Sequence, residues 1–184
     1  MPAQLLRRVT TFLLSIAAGF ALVPVVAFTV AQPWHVSGHS MEPTIQDGSV
    51  LLVDAVGPVV GGYARGDVVI VMLPESSAYP HPVLVKRIVG VAGDRIHIED
   101  GLVRVNGGSA VEPYLEPGTF TPVDGTLDVL VPPGAVFVMG DRRSNSYDSK
   151  AFGPVAEDRL AGRAWIAIEP NGEVELPGVA AGQP

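Results

Sequence analysis

Apolar residues fall in short blocks along this chain, and the blocks predict strands. Val50–Val53, Val68–Leu73 and Val83–Val91 are runs rich in Val and Ile, bounded by Gly, Pro and Asp. Arg95–Ile98 and Leu102–Asn106 alternate apolar with polar on either side of Asp100-Gly101, a hairpin turn signal. Val136–Met139 and Ala164–Ile168 predict two further core strands. A helical turn is expected only around Val155–Leu160. Gly107–Pro133 alternates poorly and holds several Pro and Gly. It is expected to form loops with at most one short strand, inserted between two core strands. The tail after Pro170 is rich in Gly and Pro and is expected to be loosely ordered.

The pattern changes at the N-terminus. After Arg7 and Arg8 no charge appears until Glu42, and Phe12–Val30 is interrupted only by Ser15 and Thr29 among polar types. As a helix this run would extend about 28 Å, close to one hydrocarbon core. Pro24 is tolerable in a membrane span, and Trp34 stands where an interfacial indole belongs. The run is longer than the apolar stretch of a cleavable signal, although Thr29-Val30-Ala31 offers a small-x-small site. A retained anchor is expected, with Arg7 and Arg8 on the cytoplasmic side.

Composition narrows the chemistry. The chain has 184 residues, 21 Gly, 17 Pro and no cysteine, so disulfides and thiolate metal sites are excluded. The formal net charge is −7 and no Lys/Arg stripe is evident, so a nucleic-acid partner is not expected.

Candidate chemistry begins at Ser37-Gly38-His39-Ser40-Met41-Glu42-Pro43-Thr44. Gly38 and Pro43 bracket Ser40, as suits a rigid turn presenting one hydroxyl, although serines in ordinary turns look much the same. A serine needs a base. His39 is adjacent in sequence and points to the opposite face of an extended segment. His97 lies in an alternating strand, and His35 and His81 border prolines. The two lysines are Lys86 and Lys150. Lys86 stands inside the apolar strand beside Arg87, so alternation turns one of the two towards the apolar side. A buried amine loses basicity and becomes a base near neutral pH.

Four motifs then occur in order: Ser37–Thr44, Arg65–Val69, Lys86–Asp94 and Met139–Lys150. With the N-terminal run they closely resemble bacterial type I signal peptidases, over residues 9 to about 169. The resemblance implies an all-β, signal-peptidase-like barrel or sandwich domain behind one transmembrane helix. Its expected parts are a cytoplasmic segment 1–8, an anchor 9–33, an extracytoplasmic catalytic domain 34–170 with a small β insertion at about 93–133, and a flexible tail 171–184. It implies Ser40 as nucleophile and Lys86 as general base, with Ser146 hydrogen-bonding the Lys86 amine. Asp141 and Asp148 would pair with Arg87 and Lys150 and brace the site. The Ser40 backbone N–H would donate to the oxyanion. Three positions differ from residues found in the family: Gly38, as in some members, lacks the side-chain donor that a serine gives others, Arg142 replaces the usual Asn, and Lys150 replaces the usual Arg.

No metal or organic cofactor is implied. The implied substrates are preproteins with small residues at −1 and −3, bound as an added strand, with Met41 and residues of Val68–Leu73 as pocket contributors. The protein would sit in the cell membrane as a single-pass protein, its partners the bilayer and exported preproteins. A specialised peptidase of the same clan, maturing pilins or a single substrate, fits the same motifs. A non-catalytic, membrane-tethered β module that binds peptides would leave Lys86 and Ser146 without purpose.

Overall fold

The computed structural model describes residues 8, 11–15, 31–74 and 82–178. Among these the chain is mostly β. In order the strands are β1 (Ala31–His35), β2 (Val50–Asp54), β3 (Val68–Met72), β4 (Val83–Gly90), β5 (Arg95–Glu99) and β6 (Leu102–Val105). They continue with β7 (Gly108–Ser109), β8 (Leu127–Leu130), β9 (Ala135–Met139), β10 (Val155–Ala156), β11 (Leu160–Ile168) and β12 (Val174–Glu175). The larger sheet runs β1-β2-β11-β3-β4-β9-β10, with β12 added on β11. The smaller runs β7-β6-β5-β8.

The continuous Val/Ile runs are strands covered on both faces. In β3, Val68 and Ile70 pack with Met41, Ile45 and Leu51, while Val69 and Val71 pack with Leu84, Val136 and Val138. Such a strand has no polar face to alternate with. The same coverage corrects the expectation that only one of Lys86 and Arg87 turns inward: both are buried. A third core joins Ile96 and Ile98 of the small sheet to Phe137 and Met139 of β9. This packing seats the small sheet against the strand that leads into the Gly140 loop.

The predicted hairpin is β5–β6, with Glu99 opposite Leu102. Asp100 and Gly101 take φ of 50° and 76°, as a two-residue turn of the primed type requires. The Gly107–Pro133 stretch holds two short strands, one more than expected: β7 pairs with β6 and β8 with β5.

Four local expectations are corrected. Val155–Leu160 is not a helical turn throughout: Val155–Ala156 pairs with β9, and only Glu157–Arg159 forms a 3-10 turn. Helical turns form instead at Gly57–Gly61 and Ser149–Phe152. The first has Pro58 in its opening turn, and the Asp54 carboxylate accepts from the amides of Val56 and Gly57. The tail is tied down as far as residue 178, because an extended segment needs only free backbone groups to pair. Val174–Glu175 pairs with Ala167–Ile168, and the Pro177 carbonyl accepts from Arg87. Lastly, Ala31–Pro33, expected at the end of the anchor, begins β1 and pairs with Leu52–Asp54.

Residues 11–15 are helical, and the remainder of the expected anchor lies outside the described residues. No helix among the described residues is long and apolar enough to cross a membrane.

Candidate active site

The residues singled out by the motifs meet where β4 parts from β9. Two bonds set the phase of the β3–β4 ladder: Leu73 N donates to Pro82 O at 2.6 Å, and Ile88 N to Asp67 O at 2.8 Å. By the two-residue period, the peptide groups of Leu84 and Lys86 point to β3, and those of Val83 and Val85 point away. β9 pairs only with Arg87–Gly90. The outward edge of Val83–Lys86 is therefore open.

Ser40 approaches this edge on a turn pinned from beneath by the buried side chains of Met41 and Ile45. The turn is closed by Ile45 N donating to Met41 O at 3.0 Å, and Gly38 N donates to Asp47 Oδ1 at 2.8 Å. Arg142 N donates to Ser40 O at 3.0 Å, fastening the turn to the Gly140–Ser146 loop. Gly140 is required there: a Cβ would stand 2.5 Å from Ser40 O and overlap Ser146 Oγ.

Lys86 Nζ lies 2.6 Å from Ser40 Oγ and donates to the outward carbonyl of Val85 at 3.0 Å. The side chain is buried, and desolvation pushes its pKa down from 10.5 to about 8. Asp148 and Asp141 pull the value up against the larger effect of burial, and Lys150 adds to the lowering. No histidine among the described residues stands with Ser40 and Lys86. His39 pairs with Glu42 at 2.7 Å, and His97 lies beside Glu99 and Asp128. His35 is exposed, and His81 lies outside the described residues.

The hydrogen bond expected between Ser146 and Lys86 is not formed. Lys86 Nζ is directed to Ser40 and Val85, and the Ser146 hydroxyl, packed against Gly140, is buried with no partner. It nevertheless lines the same cleft as Ser40 and Lys86.

The two aspartates stand with the basic residues named for them. Arg87 donates to Asp141 through Nε at 2.9 Å and Nη2 at 2.7 Å, and its Nη1 reaches the Gly66 and Pro177 carbonyls. Asp148 Oδ2 accepts from Gly140 N at 3.0 Å and from Lys150 Nζ at 2.9 Å, while its Oδ1 accepts from Lys150 N and starts the Ser149–Phe152 turn.

Glu112 and Tyr114 carried no signal in the sequence, and Arg143 and Ser149 had no role assigned within their motif. Tyr114 lies with its ring 3.9 Å from the Arg87 guanidinium, and its hydroxyl donates to Glu112. Burial raises the Tyr114 pKa. Glu112 pairs with buried Arg143, whose Nε donates to Gly140 O at 3.1 Å. Glu112 and Tyr114 lie in a stretch read only as loop. Ser149 Oγ accepts from Val138 N at 2.9 Å and ties the motif to β9.

The cleft at Ser40 has a volume of ≈ 790 Å³, with Met41 and Ile70 among its apolar lining. It runs between the nucleophile turn, the open edge at Val83–Lys86, and Ser144–Tyr147. Among the described residues no group of three or more His, Asp or Glu could hold a metal ion. A hydroxyl in contact with a buried amine of lowered basicity, beside an unpaired strand edge, is the equipment of a serine hydrolase acting on extended peptides.

The comparisons with known proteins agree with that class. Residues 9–168 match the family described as signal peptidase, peptidase S26, and the chain belongs to this family. It is 31% identical to signal peptidase IB of Staphylococcus aureus, over 91% of this chain and 93% of that one. To signal peptidase I U of Bacillus subtilis it is 33% identical, over 90% of each. A crystal structure of a signal peptidase I from Enterococcus faecalis aligns with a TM-score of 0.45 at 27% identity, covering 55% of this chain and 95% of that one.

Proposed function

We propose that this serine endopeptidase removes signal peptides from exported preproteins at a membrane surface, with Ser40 as nucleophile and Lys86 as general base. The observation that carries the reading is the 2.6 Å contact between a buried amine and the Ser40 hydroxyl. Neutral Lys86 takes the proton as Ser40 attacks the scissile carbonyl, and returns it to the leaving amine. Water, deprotonated by the same amine, then opens the acyl-enzyme. The Ser40 N–H is the candidate donor to the oxyanion, a role worth about 3 kcal/mol per donor.

The substrate lies extended along β4, its backbone bonded to the outward groups of Val83 and Val85. Met41 and Ile70 are the candidate floor for the small side chains at −1 and −3. Ser146 is the candidate orienting group for Lys86, reaching the amine once substrate has drawn it from the Val85 carbonyl. Arg87, Asp141, Asp148 and Lys150 brace the loop that carries Ser146. The apolar run Phe12–Val30 supports a single-pass anchor that holds this site at the outer face of the cell membrane.

The test is processing of a preprotein by the wild type, Ser40→Ala and Lys86→Ala, together with labelling by a serine-directed acylating probe. Both variants are expected to fold and to leave the preprotein uncut, and the probe to label only proteins that retain Ser40. Full activity in Lys86→Ala would remove the base from the mechanism.

A further inference from the structure

A second cleft, of ≈ 530 Å³, adjoins the first, and Ser144 lines both. It opens at Glu42 and Pro43, immediately beyond the nucleophile, and its apolar wall is Pro43, Leu115 and Phe120. Phe120 is 62% exposed, a large apolar ring left to solvent. It is nonetheless held in place. The ring lies on Gly101, where a Cβ would overlap it, and Thr121 N donates to Gly101 O at 3.0 Å. Across the mouth, Arg142 Nη1 bonds Glu42 Oε2 at 2.7 Å while the Arg142 amide holds Ser40 O.

The substrate of an endopeptidase continues on both sides of the bond that is cut. Given Ser40 as nucleophile, a signal peptide added along Val83–Val85 fills the first cleft, and the chain must leave past Ser144. We infer that the second cleft binds the first residues of the mature protein in extended form, with an apolar side chain against Phe120 and Leu115. The site lies on the continuous path from Ser40 and offers an anchored aromatic surface otherwise left to water. The inference rests on the function proposed above and adds a specificity determinant on the leaving side of the bond.

The test uses the full chain in detergent and two peptides with the same signal segment. One carries several mature residues including a leucine, and the other ends at the first mature residue. In the wild type the longer peptide is expected to have a kcat/KM about tenfold higher. Phe120→Ala is expected to bring that ratio near one, and Phe120→Leu to keep most of it. A ratio that Phe120→Ala leaves unchanged overturns the subsite, and so does an equal loss on both peptides, as from a ring that meets lipid. A wild type that cuts neither peptide overturns the proposed function itself, so the two failures are distinguishable.

Discussion

Arg87 clasps Asp141 through two parallel hydrogen bonds, of 2.9 and 2.7 Å, with both side chains out of water. The pair stands one residue from Lys86 on β4 and one residue from Gly140. Removing one partner leaves a buried charge alone, which costs about 3–5 kcal/mol. Asp141→Asn and Arg87→Met are therefore expected to lower the melting temperature sharply and to lose activity through the displaced Gly140 loop. Thermal unfolding of the two variants beside the wild type checks this.

With Lys86 as the proposed base, its amine is expected to set the pH dependence of the reaction. Only the neutral amine accepts a proton, and burial has brought its pKa to about 8. The rate is expected to rise tenfold per pH unit below that value and to level off above it. Lys150 is one of the charges that lower the Lys86 pKa. Lys150→Met is expected to move the acid limb to higher pH, as read from kcat/KM profiles of the two proteins.

The same burial opposes folding. The folded pKa lies below the ordinary lysine value of 10.5, so between about 8 and 10.5 the unfolded chain holds more protons than the folded one. Stability therefore rises with pH across that window, and below it the full penalty applies. The gap corresponds to roughly 3 kcal/mol at most. Lys86→Met is expected to be inactive, more stable at neutral pH by about 1–3 kcal/mol, and without the alkaline rise. Denaturant melts across the pH range measure all three.

Ser146 presents a buried hydroxyl without a partner. Removing such a group relieves about 1–3 kcal/mol of desolvation cost. Ser146→Ala is expected to gain stability of that order and to lose kcat with little change in KM, as an orienting role requires. Equal activity in this variant would deny that role.

Gly140 admits no side chain, because a Cβ would press on both Ser40 O and Ser146 Oγ. Gly140→Ala is expected to fold with Ser40 displaced and to lose at least about a hundredfold in kcat, since small misplacements at a reacting centre are costly. Single-turnover kinetics with a peptide ester reads the loss directly.

The sequence displays what depends on local pattern. Seven strands and the Asp100-Gly101 hairpin follow from period and turn chemistry, and one of the two short strands in the Gly107–Pro133 stretch was allowed for. The apolar run Phe12–Val30 lies mostly outside the described residues. Ser40 and Lys86 came from chemistry and order of motifs, and the structure puts them in contact. What stayed hidden depends on distant partners. β1 holds Gln32, Pro33 and His35 and has no strand signature of its own; β2 supplies its pairing. Glu112 and Tyr114 sit in an irregular stretch, and only the fold carries them to Arg143 and Arg87. The Ser146 hydroxyl was expected on Lys86, but the Val85 carbonyl occupies the amine, and no motif encodes a backbone acceptor.

The unzipped margin of β4 has one last consequence. If substrate is read there as an added strand, a segment coiled into helix or paired on both sides within a sheet has no spare amides to offer it, whatever its side chains. On that reading, selection by backbone shape would precede selection by sequence, and a folded cargo would pass the blade untouched while the ribbon at its leading end is cut.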